Sequence, residues 1–478
     1  MTIFTLLYFL TGTVFYLLFT TEVVVPEQDI VFMRLAIFLF MAPIFVKYLI
    51  QLLTAPLYYF LEKRKQFTPS FSRKIQVSVL VPAWNEEVGI LKTIKSVLDT
   101  DYKNLELIVI NDGSTDHTHE LVSDFIASYK LNNRSGEAKA EIKYLNLSNG
   151  GKANALNKGL KEVSGEFVIT LDADSLMDTD AIINLLQHFE DDAKVGAVAG
   201  NVIVANRKKS LALIQQLEYL YGFFFKRADS IFNAVYIIGG AAAAYRKSTL
   251  DAVGGFDEHI ITEDIEMSTR ILSKGYKTRY AANAVIYTEG PSDWKGLCQQ
   301  RLRWKFGRLL TFIKHKKLFF NLKLGKPYLT CLILPIAVYA EISLLLEGFL
   351  LAIFYSYTIY TNDYLPLACV IVFITTLVCF QITFDSKARF HRNILFLAPI
   401  AWIVFYLIDV VELQALYRSL KKLAKRQKLE WQSWTRVGLL DKRPASKVAA
   451  TPKESPSIES VGLISSIDQV IDLTTSRS

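Results

Sequence analysis

The apolar residues of this 478-residue chain gather at its two ends, and the block between them is polar. Apolar types make up 51% of the sequence and the mean hydropathy is +0.25, more than a soluble core of this length needs. The layout therefore restricts the fold to a water-facing domain carried on membrane helices. Expected boundaries are membrane helices over 1–66, a folded domain over 67–296, amphipathic interfacial helices over 297–325, further membrane helices over 326–420, and a basic tail over 421–478.

The first apolar run, Ile3 to Thr20, has no basic start and no small-residue cleavage site, so it reads as an uncleaved helix. The second, about Ile30 to Phe60, is interrupted by Arg34 and Lys47 and exceeds the roughly 20 residues that cross a bilayer. It is one long or tilted helix, or a span plus an interfacial turn. Lys63, Arg64 and Lys65 follow at once and put the central domain on the cytosolic side. Three more runs lie near Tyr328–Tyr355, Tyr364–Phe384 and Asn393–Val411. Two spans plus three would leave the C-terminus outside, yet Lys421, Lys422, Lys425, Arg426 and Lys428 argue that it is cytosolic. Either one run is re-entrant, or the second run crosses twice, or the first segment does not span. Beyond about Lys442 the Ser/Thr/Pro-rich tail has no periodicity and disorder is expected.

From about Ile75 to Tyr287 strands alternate with helices. IQVSVLVPAWNE, LELIVINDGSTD, IKYLNLS and EFVITLDADS read as strands, with helices between them over Val88–Leu98 and Lys152–Val163. Strand–helix–strand units of this kind give an α/β domain, a mostly parallel sheet with helices on both faces. Ligands bind such sheets beyond the carboxyl ends of the strands. Asn85, Glu86, Asp112, Asp172 and Asp174 all fall there.

Asp172 and Asp174 flank Ala173 at a strand end. Two neighbouring carboxylates repel, and a divalent cation shared with a diphosphate relieves that cost; Mg2+ and Mn2+ favour such oxygen ligands. A lone pair of this kind is more often a helix cap or a solvated turn, and its place after an apolar strand reverses the odds. Asp112 is set to meet a nucleotide or a metal, whereas Asp116 suits the cap of the next helix. Pro82, Asn85 and Glu86 close the first strand in the same crevice. Asn149–Lys152, NGGK, enters a helix whose amides, with Lys152, suit a phosphate. His117 and His119 alternate at a solvent-facing helix start, a context in which metal ligation is not expected.

Thr262, Glu263 and Asp264 follow GGFDEHI. Asp264 has the chemistry of a general base for a hydroxyl, though an acidic helix start is common. QRLRW at Gln300–Trp304 gives the tripeptide its weight: Arg303 suits a leaving diphosphate and Trp304 a sugar face. The surrounding helix, Leu297–Phe320, is basic and aromatic, so an interfacial anchor is the competing reading. Glu341 and Glu347 lie in an apolar run and mark either a polar path or the rim of a shorter span. The net charge of +8 fits a basic face beside anionic lipids, and no zinc-finger or aromatic-basic motif supports nucleic acid. Cys298, Cys331, Cys369 and Cys379 form no paired motif, so neither a disulfide framework nor a zinc site is expected.

Together these motifs resemble glycosyltransferase family 2, the inverting GT-A enzymes, over about Gln76 to Trp434. The chain looks most like the bacterial poly-β-1,6-N-acetylglucosamine synthases, with cellulose and hyaluronan synthases more distant. VGAVAGN, GGAAAAYR, FDSKARFHRN and EWQSWTRVG add to the likeness. The resemblance implies that Asp112, Asp172/Asp174, Thr262/Glu263/Asp264 and Gln300/Arg303/Trp304 bind the UDP-sugar, the metal and the acceptor. It implies a processive enzyme at the cytoplasmic membrane, with a divalent cation, a growing polysaccharide, membrane lipids and small accessory or export proteins as partners. The alternatives are a single-addition transferase acting on a lipid acceptor, and a transporter or scaffold with an inactive domain. The tail after Trp434 is longer than the family pattern, and no motif here encodes the sugar.

Overall fold

The computed structural model describes residues 2–24, 28–64, 75–132, 140–429, 436, 438 and 439. The disorder expected beyond Lys442 lies outside them.

Among the described residues, the central domain is built on one sheet of eight strands in the order β3-β2-β1-β4-β7-β6-β8-β5. These are β1 (Val77–Ala83), β2 (Leu105–Asp112), β3 (Glu141–Leu147), β4 (Phe167–Thr170), β5 (Leu176–Met177), β6 (Val195–Val204), β7 (Ala243–Arg246) and β8 (Lys277–Thr288). The first four run parallel, as do β6 and β8. β7 enters between β4 and β6 antiparallel to both, and short β5 caps the edge antiparallel to β8. The sheet is mostly parallel as the strand pattern predicts, with one reversed strand at its centre.

Side chains alternate between two cores, as a pleated strand requires. Val77, Val79 and Val81 of β1 point to one face, against α3 (Ile90–Leu98), α4 (Thr118–Asn132) and α6 (Ala181–Glu190). Leu80 points to the other, with Ala155 and Leu156 of α5 (Lys152–Leu160), Leu250 of α8 (Lys247–Val253) and Met267 of α9 (Glu263–Ser273). Long α7 (Ser210–Ile231) leaves β6 and lies between the sheet and the apolar helices.

Those helices begin with α1 (Thr2–Thr20) and α2 (Gln28–Arg64). The second apolar run is a single helix of 37 residues and does not cross twice. At about 1.5 Å per residue it is longer than a bilayer core of about 30 Å. Its last turns reach the domain, where the Tyr58 hydroxyl donates to the Tyr280 carbonyl of β8 at 2.7 Å. α11 (Leu334–Thr361), entered through a π-turn at Tyr328–Ile333, and α12 (Leu365–Thr383) follow α10 (Trp294–Lys314). Among the described residues, four helical segments are long and apolar enough to cross a membrane, and α1 is a shorter apolar helix.

The last apolar run takes a bent course. After the short α13 (Ala388–His391), a 3-10 stretch, Arg392–Ile400, packs Ile394 and Leu397 beside Val378 and Ile382 at the end of α12. Trp402 then meets Leu367 and Ile371 at the start of α12. From there α14 (Ala401–Ala424) returns to the domain, where Val411 packs on Leu211 and Leu297. These contacts send the chain along α12 and then back to the domain.

Candidate active site

The carboxyl ends of β1, β2 and β4 open into one cavity of about 930 Å³. Pro82, Asn85, Glu86, Asp112, Lys152, Asp172, Asp174, Thr262, Glu263, Asp264, Gln300, Arg303 and Trp304 all line it. Residues from Pro82 to Trp304 thus converge in one place.

Asn85 holds a positive φ of 55°, a conformation asparagine tolerates better than most side chains. Its Oδ1 accepts from the Thr115 amide at 2.7 Å, which locks the β1 loop to the β2 loop. Asp112 is committed differently from the expectation. Its two oxygens accept the Gly150 and Gly151 amides at 2.8 Å each. Burial raises the Asp112 carboxyl and those two amides oppose the rise. The anion at this helix start is therefore the chain's own Asp112, because the NGGK turn folds onto β2 instead of opening outward. Gly113 (φ 68°) permits that approach: a Cβ there would stand 2.5 Å from the Asn149 amide.

Lys152 lies between the two acidic motifs. Its ammonium is 2.6 Å from Asp172 and 3.1 Å from Glu263. Burial disfavours that charge, but Asp172, Glu263 and Asp264 outweigh burial and hold Lys152 above its ordinary range. The same pairing keeps Asp172 low against its burial. Asp264 at the start of α9 accepts the Gly240 amide at 2.7 Å and the Ile265 amide at 2.8 Å. Two backbone donors fix the direction of its lone pairs. Thr262 and Glu263 are buried beside it. Gly307 of α10 presses on Thr262, where a Cβ would be 2.1 Å from Oγ1.

In α10, Trp304 stands 6.4 Å from the Tyr219 ring, and Arg301 covers its face at 4.4 Å. Gln300 Oε1 is buried without a hydrogen-bond partner. Arg301, Lys305 and Arg308 of this helix are not displayed to lipid as its composition predicts. Arg301 pairs with Glu218, Lys305 with Glu341 and Glu412, Arg308 with Glu341, and Lys314 with Glu266. Carboxylates from α7, α9, α11 and α14 satisfy them, which also explains Glu341 inside an apolar run. Glu347 shares a hydrogen bond with Asp409 of α14.

Three participants escape sequence reasoning. Arg436 reaches back to pair with both Glu86, at 2.6 Å, and Asp174. Its neighbour Gly438 donates to Glu289 at 2.9 Å. Gly240 admits Lys152 so closely that a Cβ would be 2.7 Å from the ammonium. The WTR and GGA segments containing Arg436 and Gly240 were visible as patterns, without a role.

Glu86, Asp172 and Asp174 are hard oxygen donors of the kind a divalent cation takes. Glu86 Oε2 is buried without a partner, and burial, with Asp174 and Asp172 nearby, pushes that carboxyl up to about 7 against the pull of Arg436. Among the described residues, no three such donors yet converge. Lys152 and Arg436 hold two of them apart. The oxygen chemistry of the set fits a divalent cation, with Lys152 and Arg436 now paired to the same carboxylates.

Residues 75–307 match the family model described as "Glycosyltransferase like family 2". Poly-beta-1,6-N-acetyl-D-glucosamine synthase of Staphylococcus epidermidis is 36% identical over 279 residues, covering 56% of this chain and 64% of the relative. The synthase of the same name from Staphylococcus aureus is 36% identical over 233 residues, covering 48% and 54%. The chain thus spans 64% and 54% of the length of these two relatives, less than two thirds of either. A solved mannosyltransferase from Pyrobaculum calidifontis, in complex with GDP-Man and Mn2+, shares the fold. Its TM-score is 0.54 at 21% identity, over 80% of this chain and 98% of that one.

Proposed function

We propose, because residues 75–307 match the family model described as "Glycosyltransferase like family 2", that this chain is an inverting transferase that polymerises a β-linked polysaccharide from a UDP-sugar, UDP-N-acetylglucosamine first. The observation that carries the reading is the single cavity. It runs from the strand ends, past Asp264 and Trp304, to Ala337 of α11 and Phe405 of α14 among the apolar helices. A donor bound at one end and a product leaving between the helices both fit one continuous space. The names of the staphylococcal relatives support the sugar.

In this reading Asp264 takes the proton from the acceptor hydroxyl as that oxygen attacks the anomeric carbon. The bond to the diphosphate breaks from the opposite side, and the configuration inverts. Lys152 and Arg303 offset the charge on departing UDP. Asn85, Glu86 and Asp112 shape the nucleotide end beside Pro82. Thr262, Glu263 and Gln300 frame the acceptor, and Trp304 carries its sugar face. Asp172 and Asp174 would hold a divalent cation, Mg2+ or Mn2+, which when bound neutralises diphosphate charge. The apolar helices hold the enzyme in the cytoplasmic membrane with its domain in the cytosol, and accessory proteins assist export.

Membranes containing the chain are incubated with Mn2+ and labelled UDP-N-acetylglucosamine or UDP-glucose. High-molecular-weight product from one donor, abolished in Asp264→Asn while UDP binding persists, is the expected result. Near-normal polymer from that variant overturns the role of Asp264. Label confined to lipid-sized product replaces polymerisation by single addition to a lipid.

A further inference from the structure

Glu266 carries a buried charge that the transfer chemistry does not use. It follows Asp264 in α9, two positions on, so the two carboxylates do not face each other. Glu266 is 0% exposed and is not among the residues that line the cavity. A buried carboxylate must be paired. Arg270, one turn on in the same helix, donates to it at 2.7 Å, and that pair alone neutralises the charge within α9. Two further partners come from the end of α10. Lys314 Nζ donates to Glu266 at 2.7 Å, and His315 Nε2 shares a hydrogen bond with it at 3.0 Å. Lys314 also pairs with Asp257, in the loop that leads to Thr262. Burial alone would raise the Glu266 carboxyl, but His315, Arg270 and Lys314 outweigh it and lower the group to about 2. The clamp is therefore charged at neutral pH.

The same two helices touch where Gly307 of α10 meets Thr262. One close contact by itself leaves a pivot. At roughly 1.5 Å per residue, Lys314 lies ~10 Å beyond that contact along α10, and Arg303 ~6 Å before it. Turning α10 about Gly307 swings Arg303 and Trp304 one way as Lys314 moves the other. Tying Lys314 to Glu266 stops the swing. Placement errors of about 1 Å at reacting groups cost on the order of 100-fold in rate, so the angle between α9 and α10 matters to transfer.

We propose that Glu266 is a positioning residue: through Lys314 it fixes the angle at which α10 crosses α9, and with it the placement of Arg303 and Trp304 relative to Asp264. This rests on the transferase reading above, in which Asp264 is the base. Glu266 acts through the two helices and does not meet the sugar.

The full chain in lipid nanodiscs is assayed for transfer from labelled UDP-N-acetylglucosamine, with UDP binding and melting temperature measured alongside. Lys314→Met cuts the tie while Arg270 and His315 still satisfy Glu266, so the buried charge stays paired. Lys314→Arg restores a donor of similar reach, and Glu266→Gln keeps the shape but removes the charge. Lys314→Met and Glu266→Gln should each lower kcat about tenfold and leave the donor KM and UDP affinity within about twofold of wild type. Lys314→Arg should recover most of the rate. Wild-type kcat in both Lys314→Met and Glu266→Gln overturns the positioning role and leaves the transferase reading intact. A joint loss of kcat, donor KM and UDP affinity with a lower melting temperature makes the clamp a stabilising brace and also overturns it. Lys314→Arg as slow as Lys314→Met does the same. A wild-type chain that turns over no donor overturns the transferase reading, and this proposal with it.

Discussion

Arg436 donates to Glu86 at 2.6 Å across 350 residues of chain, and its other terminal nitrogen pairs with Asp174. A guanidinium therefore sits where a cation bound by Asp174 would be. The two positive groups compete for one carboxylate. Arg436→Ala should lower the Mn2+ concentration that half-saturates UDP binding by about threefold to tenfold, because Asp174 is released. Calorimetric titration of Mn2+ in nanodiscs measures this. An unchanged midpoint would mean that Arg436 does not occupy the cation position.

The contact of Gly307 with Thr262 sets the distance between the helix bearing Asp264 and the helix bearing Arg303. A methyl group at 307 would lie 2.1 Å from Thr262 Oγ1 and 2.6 Å from its Cγ2. Gly307→Ala should cost about 1–3 kcal/mol through overpacking. It should also lower transfer at least tenfold by shifting α10 against α9. Adding Thr262→Ser removes one of the crowded atoms and should recover part of both losses. Transfer rates and melting temperatures of the single and double variants decide it, and strictly additive losses would exclude the contact as the cause.

Much of this arrangement was legible in the sequence, and the reasons are local. Each of β1, β2 and β4 is an apolar run ending in polar residues, and a parallel sheet brings such ends together whatever the loops do. That logic placed Asn85, Glu86, Asp112, Asp172 and Asp174 in one crevice. It did not reveal that Asp112 is bound by the Gly150 and Gly151 amides, because an NGGK turn looks the same whether its amides face inward or outward. The partner of each base in α10 was equally hidden. Arg301, Lys305 and Arg308 read as a lipid-facing row, since Glu218, Glu341 and Glu412 lie on three other helices. Arg436 had no periodic neighbourhood to announce it. β7 was missed as a reversed strand because AAYR is short and its alanines carry no pattern of their own.

Glu106 gives a prediction for stability against pH. Its side chain is fully buried in β2. Burial alone would raise the carboxyl. Hydrogen bonds from Ser78, from the amide and hydroxyl of Ser164, and from Lys143 outweigh it and lower the group to about 2. A depressed carboxyl stabilises the fold fully above its unfolded value near 4.5 and loses that contribution as pH falls toward 2. Between pH 7 and pH 3 the wild-type melting temperature should therefore fall by more than that of Glu106→Gln. The variant should be less stable at pH 7 by about 2–3 kcal/mol. Parallel curves for the two proteins would remove Glu106 as a source of the acid sensitivity.

Lys305 bridges α10 to both membrane-side helices, at 2.9 Å from Glu341 of α11 and 2.7 Å from Glu412 of α14. It is 4% exposed, so little water shares these charges. Removing one partner of a buried pair strands the other, at about 3–5 kcal/mol, whereas replacing both with apolar groups of similar size is often close to neutral. Lys305→Met and Glu412→Leu should each lower the melting temperature strongly in detergent. Each should also cut transfer, since Arg303 and Trp304 ride on the same helix. The triple variant Lys305→Met, Glu341→Met and Glu412→Leu strands only the Arg301 and Arg308 side, where Arg301 keeps Glu218 at 2.7 Å and Arg308 loses its pair with Glu341. Adding Arg308→Met should therefore restore most of the stability that the single variants lose. If the fourfold variant is as unstable as the sum of its parts, the lattice holds α10 through packing and not through charge.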